Sequence, residues 1–301
     1  MVAVCDVDPL AVERVRTRHH AAIGYRDHQA MFDAEDLDFV VVAVPHAAGT
    51  SIVEEAIRRR VHVLKEQPFA IGMAEARWLT EMSEAAGVEI MTTPQRRSDP
   101  VYCVFSQFSD QVGEPFFIDA SHTIHSGDPA PGWRAHQATA GGGCIIDMGY
   151  HMVDMLIWCF GLPDRVIAQS SVCARPGTDY EVEDTAAVLF AYDSGLFGAL
   201  RLSRCIAPRD ERIGVDAQRG SVVIERGRIR RFTADGEVAE CLAREGARPS
   251  AAVNQVDHFL SGPSPDTGPT SRHHARGSPT RLSSSPATCR SSAVATSSRR
   301  S

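Results

Sequence analysis

The chain has 301 residues, 43% of them apolar and 23% charged, with a formal net charge of −7. This is the composition of a soluble globular protein with room for two ordinary domains. With an acidic balance and no uninterrupted apolar run near the length of a membrane span, neither nucleic acid nor membrane is expected as a partner. Asp6 breaks the apolar start and excludes an ordinary secretory leader. Eight scattered cysteines without a Cys-x-x-Cys pair predict no metal site and no disulfide framework, and place the chain in a reducing cytoplasm. Lys65 is the only lysine among 31 lysines and arginines.

In chain order, Val2–Asp6 reads as a short strand, Pro9–His20 as a charged helix, and Phe39–Val44 as a β-branched strand buried on both faces. Ser51–Arg60 follows as an amphipathic helix, Val61–Leu64 as a strand, Ala74–Ala86 as a helix and Val88–Thr92 as a strand. That alternation predicts a doubly wound parallel sheet over residues 1–94. After Pro94 the texture changes to consecutive strands: Phe116–Ile124, Arg165–Ala174, Thr185–Tyr192, Leu196–Ser203, Arg212–Ala217 and Ser221–Ile224. They predict an α+β domain with a largely antiparallel sheet over residues 95–260. His122 and His125 fall on opposite faces of the first of these strands and read as structural or surface residues.

The segment Gly141-Gly142-Gly143-Cys144-Ile145-Ile146-Asp147-Met148-Gly149-Tyr150-His151-Met152-Val153-Asp154 carries the strongest functional signal. On an α-helix, Asp147, His151 and Asp154 share one face of an otherwise apolar, buried helix. Such a polar stripe either lines a cleft as an acid/base pair or caps and pairs inside the core.

The run Gly-Gly followed by Asp-x-Gly-x-His-x-x-Asp resembles the second-domain signature of the Gfo/Idh/MocA oxidoreductases. Four further segments fit the same pattern in order: Val4–Pro9, Val40–His46, His62–Ala70 and Gly132-Trp133-Arg134. The resemblance covers about residues 1–260 and implies a Rossmann-like domain followed by a substrate and oligomerisation domain. It implies an NAD(P)-dependent enzyme that transfers hydride to or from a carbinol carbon of a sugar, inositol or related polyol, and a homo-oligomer. By resemblance His151 is the acid/base, Asp147 its partner, and Gln67 stands where relatives carry the lysine of Glu-Lys-Pro. Glutamine donates a hydrogen bond but brings no charge to a developing alkoxide. Asp6, Pro45, His46, Glu66 and Gln67 fall on the cofactor side; Arg97, Trp133, Arg134, Asp147 and His151 fall on the substrate side. Asp6 favours NAD over NADP, because a carboxylate repels a 2′-phosphate.

Two ends depart from the pattern. No Gly-x-Gly-x-x-Gly turn occurs, and Asp6 already occupies the end of the second strand of such a fold, so the expected first strand is missing and a late-assigned start is the expectation. Residues 261–301 are Ser-, Pro- and Arg-rich, with six arginines against one acid, and read as a disordered tail of the kind a shifted frame produces. The glutamine at 67 and the missing glycine turn keep two alternatives open: a non-catalytic nucleotide- or sugar-binding homologue, and an inactive truncated product.

Overall fold

The computed structural model describes residues 1–19, 22–93, 95–126, 132–174, 179–242, 256 and 259–260. The tail expected at 261–301 lies outside the described residues. The first half of the chain alternates strand and helix: β1 (Ala3–Cys5), α1 (Pro9–Arg18), β2 (Ile23–Tyr25), α2 (His28–Ala34), β3 (Phe39–Val42), α3 (His46–Arg58), β4 (His62–Lys65), α4 (Met73–Ala86) and β5 (Ile90–Thr92). Two short helices, α5 (Pro100–Cys103) and α6 (Phe105–Ser109), precede β6 (Pro115–His125). Then come α7 (Gln137–Ala140), a π-helical turn (Ile145–Gly149), α8 (Tyr150–Phe160) and β7 (Arg165–Ser171). The chain continues with β8 (Thr185–Ala191), β9 (Phe197–Ser203), β10 (Cys205–Ala217), β11 (Gly220–Glu225), β12 (Arg228–Thr233) and β13 (Gly236–Leu242).

These elements form two compact units. Of the described residues, those within 1–93, 132–147 and 179–182 cluster in the first unit and the others in the second.

In the first unit the five strands are all parallel but lie in two sheets, β1-β2 and β3-β4-β5. The single expected sheet is therefore interrupted between β1 and β3, which share no ladder among the described residues. Both sheets still contribute to one core, where Ala3, Cys5 and Tyr25 pack against a cluster holding Val40, Val42, Val53, Ile57, Val63 and Leu79. Burying such apolar side chains stabilises a fold by about 1.5–3 kcal/mol each. Helix ends follow their sequence: Asp8 and Asp27 cap α1 and α2 through side-chain bonds to the N–H groups of Leu10 and Gln29, and Gly87 ends α4 in the left-handed conformation. Helix α3 starts at His46, a turn and a half before the expected Ser51, and buries His46, Gly49, Val53, Ala56 and Ile57 on one face.

The second unit is an eight-stranded sheet of order β13-β12-β11-β10-β6-β9-β8-β7, antiparallel throughout except for the parallel pair β6–β9. Its covered face carries Ile118, Ala120, Phe190, Leu200, Leu202, Ile213 and Val215. His122 and His125 take opposite exposures on β6, the first buried and the second exposed. By length and composition alone the run Gln137–Phe160 would suffice to cross a membrane, although Asp147, His151 and Asp154 interrupt its apolar residues. Its apolar residues Met148, Met152, Met155 and Leu156 are instead buried in the fold. Cys5, Cys103, Cys144, Cys159, Cys173 and Cys205 form no disulfide.

Candidate active site

Parallel strands deliver ligand-facing residues at their carboxyl ends. In the first unit the ends of β3 and β4 open on a cavity of about 340 Å³ lined by Ala43, Val44, Pro45, His46, Glu66, Gln67, Trp133, Arg134 and Asp147. Six residues expected to contact cofactor or substrate from this unit (Pro45, His46, Glu66, Gln67, Trp133, Arg134) thus line one pocket together with Asp147. Asp6 lies apart from that lining, exposed at the end of β1, where one carboxylate oxygen accepts the N–H of Asp8 at 2.8 Å.

His46 is the most constrained member. Its side chain is 4% exposed, and Nδ1 lies 2.7 Å from the carbonyl oxygen of Ala140. A backbone carbonyl only accepts, so Nδ1 carries the proton and Nε2 is left to face Oδ1 of Asp147 at 3.7 Å. In the neutral ring, two acceptors then face one another; a ligand hydroxyl or an added proton resolves the conflict. Burial pushes the His46 pKa down, while the Ala140 carbonyl and Asp147 push it up and Lys65 and Arg134 push it down again. Trp133 meets the His46 ring edge-on at 4.6 Å, Arg134 stacks over Trp133 at 4.1 Å, and Arg134 Nε reaches Asp147 Oδ1 at 3.4 Å. Glu66 is oriented by the Thr93 hydroxyl, which donates to Oε2 at 2.8 Å.

The polar stripe differs from an ideal helical face. Asp147 sits in the π-helical turn and His151 in α8, so the wider turn changes the i, i+4 relation that the sequence spacing implies. Arg97 binds Asp154 with two hydrogen bonds of 2.9 and 2.5 Å, and Arg97 also lies over the Trp158 ring at 6.0 Å. Arg97 and Asp154, both in the second unit, thus form a two-point ion pair.

His151 is partly buried in the second unit, with the rings of Tyr150 and His122 each centred 6.2 Å away. Beside it lies a network that the sequence reading missed. His122 Nδ1 donates to the Met148 carbonyl at 3.2 Å, and Nε2 lies 3.9 Å from Glu211. Arg96 holds Glu211 through Nε at 2.7 Å and a terminal nitrogen at 2.6 Å, and Arg209 adds a contact at 3.2 Å. Burial lowers the His122 pKa. For Glu211 burial raises the pKa, but Arg96 and its neighbours outweigh it and the net shift is downward. The sequence offered no signal for this pairing: the expected strand begins at Arg212, and the β6–β10 register alone sets Glu211 opposite His122.

No metal site was expected. His136, Asp179 and Glu181 bring one ligand atom each to within 4.8 Å of one another. Asp179 and Glu181 are exposed, however, and a Glu181 oxygen already accepts the N–H of Gln137 at 2.9 Å.

A parallel α/β unit with a polar pocket at its strand ends, joined to a broad mixed sheet, is the architecture of a two-domain dinucleotide-fold oxidoreductase. Residues 1–93 match the oxidoreductase family with an NAD-binding Rossmann fold, and residues 109–230 match the GFO/IDH/MocA C-terminal domain. The chain belongs to the Gfo/Idh/MocA oxidoreductase family. It is 32% identical over 206 residues to D-apiose dehydrogenase of Paraburkholderia graminis, covering 65% of this chain and 52% of that protein. It is 25% identical over 228 residues to myo-inositol 2-dehydrogenase of Thermotoga maritima, covering 74% and 66%. The chain thus spans about half to two thirds of the length of these relatives. Among solved structures it resembles the WlbA dehydrogenase of Chromobactrium violaceum in complex with NADH and UDP-GlcNAcA, with a TM-score of 0.67, 23% identity and coverage of 74% and 66%. It also resembles biliverdin reductase of Synechocystis in complex with biliverdin and NADP+, with a TM-score of 0.74, 18% identity and coverage of 84% and 79%. At these identities the structural likeness speaks for the fold.

Proposed function

We propose that this chain is an NAD-dependent oxidoreductase that moves hydride to or from a carbinol carbon of a sugar, inositol or related polyol. The observation that carries the reading is the pocket in which His46, Glu66 and Gln67 meet Trp133, Arg134 and Asp147. Its walls are polar and hydrogen-bonding, with an aromatic face, which suits a small hydroxylated ligand. Bound NAD would take the hydride from the carbinol carbon, leaving the hydroxyl proton to be removed by the protein. His151 is the proposed base for that proton, and Asp147 holds a ligand hydroxyl or steers the proton. Gln67 donates a hydrogen bond to the reacting oxygen from the position where relatives carry lysine. Asp6, at the end of β1, favours NAD over NADP at the ribose.

The test is direct. Purified chain is mixed with NAD+ and a panel of pentoses, hexoses and inositols, and NADH formation is followed by absorbance. Turnover of at least one polyol, and its loss in Asp147→Asn, supports the reading; no turnover across the panel overturns it. A second measurement probes the pocket without activity. Because Asp147 raises the His46 pKa, Asp147→Asn should lower it further, read from the His46 ring in pH-titrated NMR spectra.

The cytoplasmic location and the homo-oligomer belong to this proposal. On the uncovered face of the large sheet, Ile167 faces Leu189, Leu189 faces Ala199, and Phe197 faces Phe117 with ring centres 5.1 Å apart. Ile167, Leu189 and Phe197 are 73%, 58% and 51% exposed. The same face carries the ion pairs Asp119–Arg212 and Asp210–Arg201, whose balanced charge suits a second copy of itself. Leu189→Arg should convert the native oligomer to monomer in light scattering with an unchanged circular dichroism spectrum. A native monomer, or an unchanged mass in the variant, would refute this interface.

A further inference from the structure

We propose that Lys65 is a positioning residue that holds the Glu66–Gln67 wall of the pocket from behind, and that Gly49 is the seat that admits it. The inference rests on the pocket being the ligand site, and it assigns the one lysine of the chain a role outside the reacting atoms.

Lys65 closes β4, paired with Val42 on one side and Thr92 on the other, and is 5% exposed. Its ammonium donates to the carbonyl oxygen of Pro68 at 2.6 Å and to that of Glu66 at 3.3 Å. These two carbonyls flank Gln67, so one buried cation brackets the residue that faces the pocket. Lys65 itself does not line the cavity, whereas Glu66 and Gln67 do. The ammonium therefore cannot substitute for a cation at the reacting oxygen. Its effect reaches the ligand through the backbone on either side of Gln67.

The seat is visible at Gly49, in the first turns of α3. A Cβ there would stand 2.9 Å from Cε and 3.1 Å from Nζ of Lys65. Gly49 has no positive φ that would require glycine, and glycine inside a helix costs about 1 kcal/mol relative to alanine. The helix thus gives up propensity at the one place where the lysine stem needs room. An arginine, the residue used for every other cation of this kind in the sequence, would bring a planar fork too broad for that space. Burial pushes the Lys65 pKa down, and Glu75 and Glu66 offset that cost only in part.

The sole lysine makes the test clean. In the native chain, reductive methylation by formaldehyde and cyanoborohydride should modify Lys65 roughly tenfold or more slowly than in urea, because reaction requires local opening. Gly49→Ala should remove that protection while keeping the lysine. The Gln67 side-chain amide signal, identified by its absence in Gln67→Ala, should shift or broaden in Lys65→Met and in Gly49→Ala, with Lys65→Arg giving no rescue. A merely structural lysine would alter melting temperature and leave the Gln67 signal of the folded variants in place. Equal labelling of native and unfolded chain, or an unmoved Gln67 signal in folded Lys65→Met, overturns the proposal. Absence of polyol turnover would sink the oxidoreductase reading and leave both of these readouts standing.

Discussion

Replacing His151 with alanine is expected to lower kcat for polyol oxidation by about 10²–10⁴ while leaving NAD affinity nearly unchanged, the range for loss of a general acid/base. The side chain is partly buried on α8, among the rings of Tyr150 and His122. His122 donates to the Met148 carbonyl in the π-helical turn that leads into that helix, three residues before His151. A base needs this kind of fixed orientation, because proton transfer is efficient only when donor and acceptor are held in line. The variant separates two roles. If His151 takes the hydroxyl proton, kcat falls and the substrate KM changes little. If it only packs, turnover persists and the loss appears in the melting temperature. An unchanged kcat in folded His151→Ala would assign the histidine to the core of the helix and remove it from the site.

The parallel unit was legible because its strands and helices keep their own periods. The β-branched run Phe39–Val42 and the capped helix Pro9–Arg18 state their type without tertiary context. Strand β2 and helix α2 were missed, since a three-residue strand with two exposed positions offers no pattern to read. Strands β12 and β13 were missed for another reason: Arg228, Arg230 and Arg231 give β12 a polar texture although Ile229 is fully buried. At the site, the residue types were legible and their partners were not. His46 was visible at a strand end, but its bond to Ala140 joins positions 94 residues apart. The pairing of Arg97 with Asp154, 57 residues later, was also hidden, since neither neighbourhood gives a local sign that two guanidinium nitrogens will be engaged. The π-helical turn at Ile145–Gly149 was equally hidden, since an α-helical wheel drawn through Asp147 and His151 assumes the geometry it sets out to find.

Loss of Arg96 should give the largest stability effect, about 3–5 kcal/mol in Arg96→Ala, which strips a buried carboxylate of its main partner. Glu211 and Arg96 side chains are 8% and 12% exposed, joined by a hydrogen bond of 2.7 Å and an ion-pair contact of 2.6 Å. Arg209 also reaches Glu211, at 3.2 Å from a half-exposed position, and should hold the loss toward the lower end. For a domain of this size about 3 kcal/mol corresponds to a fall of roughly 6–12 °C in Tm. The exposed pair Arg201–Asp210 serves as the reference, with a cost in Arg201→Ala of about 0.5 kcal/mol or less. The pH dependence carries a sign. The folded pKa of Glu211 lies below its unfolded value, so between the two the unfolded chain binds a proton that the folded chain does not. Stability from this group is therefore complete above the unfolded carboxylate value of about 4.3 and is lost as pH falls through the folded value. Urea titrations of the native chain should show that acid-side decline, and Glu211→Gln should flatten it. If Arg96→Ala costs no more than Arg201→Ala, the pair is not the buried anchor that its geometry describes, and the fixed setting of His122 beside α8 must have another source.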